Sequence, residues 1–359
     1  MKKILLILFI SINIYANSSF TEEKIKKLIG RTIILGFDSQ TLTKSLKNDI
    51  KKYNLGGIIL FDKYYKSKKK KNIKNPTQLK KLITSIKNTS NYKIFISIDQ
   101  EGGWVSRLNP KNGFSKTPKA SLISKRGIKF AKKSYNKLAK ELKNTGINLN
   151  FAPVVDLSIN PKNKVIVYQG RAYSKKPNEV VKYSELFINE MNKQGILSVI
   201  KHFPGHGSSL KDSHKGFVDI TNTWKKEELI PYKKLIKSNH AKIIMTAHVF
   251  NKNLDKFFPA TLSHNINTIM LKEKMGFKGI IISDDLQMEA ITKHYNLKET
   301  VTKAINSGVN ILLFGNHIDN KSIQLETIVN TIYNQISNKE IKLSSIIESN
   351  RLINNILKN

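Results

Sequence analysis

The feature that most constrains the fold is a short apolar run that recurs eight times, each time followed by a segment of helical periodicity. Most of these runs are continuously apolar, which is typical of parallel strands buried on both faces. They occupy residues 31–38, 56–61, 94–99, 147–156, 197–203, 241–248, 279–285 and 308–315. The intervening amphipathic helix candidates include residues 77–89, 128–144 and 178–193. Eight such units predict a single (β/α)8 TIM barrel, with a doubly wound sheet and an appended domain as the alternative.

Polar side chains stand at the ends of several of these predicted strands, where a buried strand would be expected to finish in apolar or turn residues. They are Asp99, Asp156, Lys201 with His202, His248, and Asp284 with Asp285. All strands of a barrel point the same way, so their C-terminal ends converge on one rim, where a catalytic pocket is expected. Taken singly, Asp285 is expected to cap the helix at 286–295. Asp156 and His248 are each open to a structural or a functional role.

A dense polar stretch, KHFPGHGSSLKDSHKG, covers residues 201–216 and allows two chemical interpretations. In the first, His202, His206, Asp212 and His214 bind a divalent metal. In the second, Asp212 orients and stabilises His214, which then exchanges a proton with the substrate. The ammonium of Lys201 would repel a metal at His202 but can hold a sugar hydroxyl, which favours the dyad. His206, between two glycines, is interpreted as loop architecture.

The N-terminal residues 1–16, MKKILLILFISINIYA, have the arrangement of a secretory signal peptide. Two lysines precede a short apolar run, and the segment ends at an alanine that polar residues follow. Export to the periplasm or the medium is therefore expected, with a cytoplasmic location if the signal is not functional. The chain contains no cysteine, which excludes disulfides and thiolate chemistry.

The formal net charge of +36 raises the question of an anionic partner. The lysines are spread over the whole chain, which indicates a compositional bias, and no nucleic-acid partner is expected. The local exception is the lysine-rich segment at residues 66–76, KSKKKKNIKNP. Its dense like charges predict a solvated loop. The functional alternative is electrostatic attraction to an anionic cell wall.

Several motifs, in order along residues 28–314, resemble glycoside hydrolase family 3 β-N-acetylhexosaminidases of the bacterial cell-wall-recycling type. The longest is KHFPGHGSSLKDSH at 201–214. The others are IDQEGGWVSR at 98–107, FAPVVD at 151–156, GRAYS at 170–174, MTAHV at 245–249, PATLS at 259–263 and GIIISDDLQMEA at 279–290. Two features depart from the family pattern: Trp104 replaces a common arginine, and the lysine-rich segment replaces a short turn.

The resemblance implies a retaining β-N-acetylglucosaminidase that removes terminal GlcNAc from peptidoglycan fragments. It makes Asp284 the nucleophile and His214 the general acid/base, with Asp212 as the partner of His214. The sugar-binding residues that it implies are Asp99, Arg107, Arg171, Lys201 and His202. We expect no metal or other cofactor, a monomer, and one catalytic domain over residues 17–359. The rival functions are a metal-dependent hydrolase on the same barrel and a catalytically inactive wall-binding module.

Overall fold

Eight parallel strands form the central sheet of the computed structural model, which describes residues 20–210, 216–319 and 322–358. They are β1 (Ile33–Gly36), β2 (Gly57–Leu60), β3 (Phe95–Ile98), β4 (Leu149–Asn150), β5 (Leu197–Phe203), β6 (Ile243–Thr246), β7 (Ile280–Ile282) and β8 (Leu312–Phe314). Each strand lies within one of the eight predicted runs. The strands pair in chain order, every pair being parallel.

The sheet closes on itself at two places. β8 pairs with β1, where Ile33 lies opposite Leu312. A parallel bridge between Ile282 and Ile311 then joins the end of β7 to the start of β8. The closed order confirms the predicted (β/α)8 barrel and excludes the doubly wound alternative, because an open sheet would leave two unpaired edges.

The described helices surround this sheet. They are α1 (Glu22–Gly30), α2 (Lys44–Tyr53), α3 (Pro76–Thr89), α4 (Ala120–Arg126), α5 (Ile128–Thr145), α6 (Pro177–Asn192), α7 (Ile230–Lys237), α8 (Glu289–Thr292), α9 (Leu297–Ser307), α10 (Leu325–Ser337) and α11 (Leu343–Lys358). A π-helix at Asn265–Lys274 precedes β7. The three helices predicted from periodicity are confirmed as α3, α5 and α6. The start of α3 follows from its sequence, because the Asn75 side chain accepts the Gln78 amide and Pro76 occupies the first turn.

Alternation along each strand divides the core into two layers. Ile34, Ile59 and Phe95 belong to the cluster inside the barrel, whereas their sequence neighbours pack outwards against the helices. The inner cluster also includes Ile353 and Leu357 of α11. Asn310, which precedes β8, donates to Ser349 of α11 at 3.1 Å. Helix α11 therefore covers the N-terminal end of the barrel, and the opposite rim is left for the polar strand ends.

The lysine-rich segment differs from the predicted solvated loop in its second half. Residues 66–70 are exposed, but Lys71, Asn72 and Ile73 are buried. Lys71 Nζ binds the Asp38 carboxylate, and it donates to the Asn316 carbonyl at 2.5 Å. The expectation was wrong for these three residues because a pattern of local charge does not show that a carboxylate from the loop after β1 lies beside one of the lysines.

Several predictions lie outside the described residues. The expected signal at 1–16 is among them, as are Asp212 and His214. Within residues 20–210, 216–319 and 322–358, no helix is both long enough and apolar enough to cross a bilayer.

Candidate active site

Three charged side chains continue the inward-facing positions of the alternate strands β3, β5 and β7 at the C-terminal rim. Asp99 directly follows β3 and stands four residues after Phe95, whose side chain faces inwards. Lys201 stands two residues after inward-facing Val199 on β5. Asp284 stands two residues after inward Ile282 of β7. Since alternate residues of a strand share a face, this spacing directs all three side chains towards the mouth of the barrel.

Lys201 is a buried cation of this rim, with only 3% of its side chain exposed. Its Nζ lies 2.7 Å from Asp99 Oδ1 and 2.8 Å from Glu101 Oε1. Burial alone would lower the pKa of Lys201, but the two carboxylates outweigh it and raise the pKa above its ordinary value. The ammonium is therefore fixed, charged and able to donate towards the pocket.

Glu101 connects Lys201 to Arg171, which lies on the long loop after β4. Arg171 donates from Nε to Glu101 Oε2 and from Nη2 to Glu101 Oε1, each at 2.7 Å. Burial opposes ionisation of Glu101, but the Arg171 and Lys201 cations hold the pKa of its carboxyl far below the usual range. Our sequence reasoning missed Glu101 as a site residue. Its spacing of two from Asp99, which puts both carboxylates on one face of the chain, is the signal that would have found it.

His202 extends the network to Asp156. Asp156 lies after β4, two residues beyond Val154, which forms a parallel bridge with Lys201 of β5. Its Nδ1 lies 2.7 Å from Asp156 Oδ2, and its Nε2 lies 3.4 Å from Arg171 Nη2. Burial, followed by the Arg171 and Lys201 charges, lowers the pKa of His202 to about 3. The ring is therefore neutral, so that Nδ1 donates to Asp156 and Nε2 accepts from Arg171.

Asp156 supports this part of the rim from below. Its Oδ1 accepts the backbone N–H of His202 at 3.2 Å and that of His206 at 2.8 Å. Burial raises the pKa of Asp156 to about 6. Because it is almost completely enclosed and binds three groups of the fold, Asp156 acts as a scaffold for His202 and the loop beyond it.

Asp99 and Arg107 present the accessible polar atoms of the network. The side chains are 18% and 24% exposed, and Arg107 Nη2 lies 4.0 Å from Asp99 Oδ2. The Arg107 guanidinium also lies over the Phe61 ring, 5.3 Å from its centroid. Its Nε is buried and meets no acceptor in the described part of the chain. Burial opposes the ionisation of Asp99, but the Lys201 and Arg107 cations outweigh burial and hold the pKa of Asp99 below its ordinary value. The pair thus offers a partly exposed anionic acceptor and a partly exposed cationic donor to a polar ligand.

Asp284 is partly exposed at the rim, and its Oδ1 accepts the Asp285 amide at 2.8 Å. His248 supports the adjoining backbone: Nε2 lies 2.9 Å from the Asp285 carbonyl oxygen and Nδ1 lies 2.8 Å from Thr261 Oγ1. Both ring nitrogens of His248 are thus used within the fold. This arrangement fixes the backbone position of Asp284 while leaving its side chain accessible.

Asp285 does not cap a helix as the sequence predicted. Helix α8 begins at Glu289, with Met288 in the capping position. The Asp285 Oδ1 instead accepts the amides of Gln287 and Gly315, each at 3.0 Å. The helix starts later because residues 286–288 form a turn that crosses to the end of β8.

The loop after β5 is buried up to residue 209. The His206 ring contacts Ser209 Oγ at 2.6 Å through Nδ1, consistent with the predicted loop role. Gly207 donates its amide to Glu228 Oε2 at 2.9 Å, and a Cβ at this position would lie only 1.9 Å from the Leu157 carbonyl oxygen. Glycine is required there because the two backbones approach so closely. The loop is therefore anchored to the rest of the barrel up to residue 209.

The described residues contain no group of three His, Asp or Glu side chains arranged to hold a metal ion. The predicted cage also includes Asp212 and His214, which lie outside the described residues, and it stays a prediction. Of the other two predicted ligands, His202 has its Nδ1 on Asp156, and His206 has its Nδ1 on Ser209.

Comparison with known proteins identifies the family. The family described as glycosyl hydrolase family 3 N terminal domain matches residues 20–356. Beta-hexosaminidase A of Pseudoalteromonas piscicida is 34% identical over 304 residues, which are 79% of this chain and 49% of that protein. The beta-hexosaminidase of Tolumonas auensis is 34% identical over 269 residues, 73% of this chain and 76% of the relative.

A solved structure agrees with this match. The glycoside hydrolase family 3 beta-N-acetylglucosaminidase from Paenibacillus sp. str. FPU-7 superposes with a TM-score of 0.83 and 27% identity, covering 93% of this chain and 62% of that one. The chain thus spans about half the length of the Pseudoalteromonas relative and less than two thirds of the Paenibacillus enzyme. By its sequence match and its closed barrel, the chain belongs to glycosyl hydrolase family 3.

Proposed function

We propose that the chain is a retaining β-N-acetylglucosaminidase that removes terminal β-linked GlcNAc from peptidoglycan fragments. The observation that carries the proposal is the charged rim, where Asp99, Lys201 and Arg107 are held in one network beside the partly exposed Asp284. The names of the hexosaminidase relatives support the choice of sugar.

The proposed binding step uses the charges of the rim. Asp99 accepts hydrogen bonds from sugar hydroxyls, while Lys201 and Arg107 donate to hydroxyl oxygens. Arg171 and His202 act at the edge of the same site, although the described hydrogen bonds of their side chains are to Glu101, the Val165 carbonyl, Asp156 and each other. Because these ion pairs are formed before the sugar binds, little ordering of side chains is required on binding.

In the first chemical step, the Asp284 carboxylate attacks the anomeric carbon. The bond to the leaving oxygen breaks, and protonated His214 gives that oxygen its proton. In the second step, neutral His214 takes a proton from water, the oxygen of that water bonds to the anomeric carbon, and Asp284 leaves as carboxylate. Asp212 orients His214 and stabilises its protonated form. Two displacements at one carbon retain the β configuration, and the proposed cycle requires no cofactor.

The proposed substrate source is peptidoglycan outside the cytoplasmic membrane. The signal-like residues 1–16 support export, and the positive charge of the chain supports attraction to an anionic wall. Fractionation of cells that produce the full chain tests the location: the proposal expects the protein in the periplasm or medium, and recovery in the cytoplasm would contradict it.

The activity is tested with p-nitrophenyl β-GlcNAc. We expect the chain to release nitrophenol and Asp284→Asn to lose nearly all turnover, because an amide is a poor nucleophile. Asp49→Asn, on the outer helix α2, is the matched control and should leave turnover unchanged. Near-normal turnover in Asp284→Asn would contradict the assignment. Mass analysis of products from purified muropeptides then tests the sugar and the linkage together.

A further inference from the structure

We propose that Trp104, Tyr168 and Lys164 form a binding site for the sugar on the leaving side of the scissile bond, and that they favour a sugar carrying a carboxylate. This inference rests on the proposed function, because it names the part of the substrate next to the terminal GlcNAc.

The first observation is a pair of exposed aromatic side chains. Trp104 is 71% exposed and Tyr168 is 75% exposed, although large aromatic side chains normally gain stability from burial. They line one cleft with Lys164 and Gln169, about 480 Å³ in volume. Small-molecule sites typically have volumes of roughly 300–1,000 Å³. An exposed ring in such a cleft suits a pyranose, whose axial C–H groups form an apolar face.

The second observation links this cleft to the charged rim. Trp104 lies at the tip of the hairpin after β3, three residues beyond Glu101, and Tyr168 lies three residues before Arg171. The two hydrogen bonds of 2.7 Å between Glu101 and Arg171 therefore tie the two ring-bearing loops together at their bases. A ligand held by both rings would extend outwards from the sugar at the rim.

The third observation is that the loops carrying Trp104 and Tyr168 are held in place by backbone hydrogen bonds within the chain itself. Segment 117–121 contacts each of them. The Gly103 amide donates to the Thr117 carbonyl at 3.0 Å, and the Ser121 amide donates to the Gly170 carbonyl at 3.1 Å. Backbone positions that are already fixed lower the entropy lost on binding.

The charge of the cleft selects among sugars. Of its four lining side chains, Lys164 is cationic and none is acidic. N-acetylmuramic acid carries a lactyl carboxylate, whereas GlcNAc in the same position is neutral. Lys164 can attract that carboxylate, so the cleft fits a muramic-acid residue better than the second sugar of a chitin fragment.

The ring assignment is tested by comparing two substrates in the full chain. Methyl β-GlcNAc places only a methyl group on the leaving side, whereas GlcNAc-β-1,4-MurNAc fills the proposed site. Trp104→Ala and Tyr168→Ala should each lower kcat/KM for the disaccharide about ten-fold more than for the methyl glycoside. Trp104→Phe, which keeps a ring, should recover most of the loss. Ile347→Ala, on α11 at the opposite end of the barrel, is the control and should leave kcat/KM unchanged for both substrates.

The charge assignment is tested by the preference for the muramic-acid disaccharide over chitobiose. Lys164→Gln should reduce that ratio of kcat/KM about three-fold, the scale of an exposed ion pair. An unchanged ratio would overturn the choice of an anionic sugar.

Equal effects of the Trp104 and Tyr168 variants on the methyl glycoside and the disaccharide would overturn the cleft as a binding site. A wild-type chain inactive on every substrate would instead contradict the proposed function.

Discussion

Arg171 and Glu101 form a bidentate ion pair, with 2.7 Å from Nε to Oε2 and 2.7 Å from Nη2 to Oε1. Lys201 lies 2.8 Å from the same carboxylate, so one anion is shared by two buried cations. These residues come from the loop after β4, the hairpin after β3 and the end of β5. The cluster therefore fixes three adjacent parts of the rim relative to one another.

Glu101→Gln should destabilise the fold by about 3–5 kcal/mol, because removing one partner of a buried ion pair leaves the others uncompensated. The free energy of unfolding in urea measures this loss. Glu348→Gln is the matched control, because its pair with Arg351 on α11 is exposed and screened by water. We expect its unfolding midpoint to stay close to that of the wild type. A Glu101→Gln midpoint as high as that of the control would contradict the stabilising role of the cluster.

Glu228 should make stability depend on pH. Burial raises the pKa of its carboxyl from 4.5 to about 7, and Oε2 accepts the Gly207 amide at 2.9 Å. The folded state thus holds this proton more tightly than the unfolded chain does. Its contribution to stability is complete below about pH 4.5 and is lost as the pH rises through about 7.

Comparison of urea midpoints at pH 5 and pH 8 tests this role. From pH 5 to pH 8, the wild type should lose more stability than Glu228→Gln, which cannot ionise. Asp156, whose pKa burial raises to about 6, is present in both proteins, and its effect cancels in the comparison. Glu227→Gln, at the exposed neighbouring position, should follow the wild type. Parallel pH profiles for the wild type and Glu228→Gln would refute the prediction.

His214→Ala should affect substrates according to their leaving groups. A poor leaving group such as a sugar requires a proton, whereas nitrophenolate departs without one. We therefore expect a loss of about 100-fold or more in kcat for the disaccharide, the scale of general acid catalysis, and a much smaller effect on the first step with the nitrophenyl glycoside. Pre-steady-state release of nitrophenol separates the two steps. Equal losses for both leaving groups would indicate a structural role for His214.

Chelator treatment distinguishes the glycosidase from the metal-dependent rival. The proposed cycle uses only the side chains of Asp284, His214 and Asp212, so dialysis against EDTA should leave kcat/KM unchanged. Loss of activity that returns with a divalent cation would instead support a metal at His202, His206, Asp212 and His214.

The barrel could be predicted because a strand that is buried on both faces requires a run of apolar residues, which is visible in the sequence. Each of the eight strands lies within one of the predicted runs, most of which are continuously apolar, and strand alternation explains why Asp99, Lys201 and Asp284 face the mouth. The boundaries were less predictable. Residues 147–156 predicted one long strand, but β4 contains only Leu149 and Asn150, with Val154 paired separately to Lys201.

The pairing of charges could not be predicted because it depends on loops distant in the sequence. Glu101 and Arg171 are 70 residues apart, and only the closed barrel brings them together. Lys71 shows the same limit: four neighbouring lysines have like charge, yet one of them is buried beside Asp38. Local composition indicates which groups are charged, whereas their partners follow from the tertiary fold.

The stereochemistry of the first product tests the central claim most directly. Proton NMR can follow hydrolysis of p-nitrophenyl β-GlcNAc before the released sugar mutarotates. Nucleophilic attack by Asp284, followed by attack of water, predicts that β-GlcNAc appears first and the α anomer later. Initial release of α-GlcNAc would show a single displacement and would contradict the proposed mechanism.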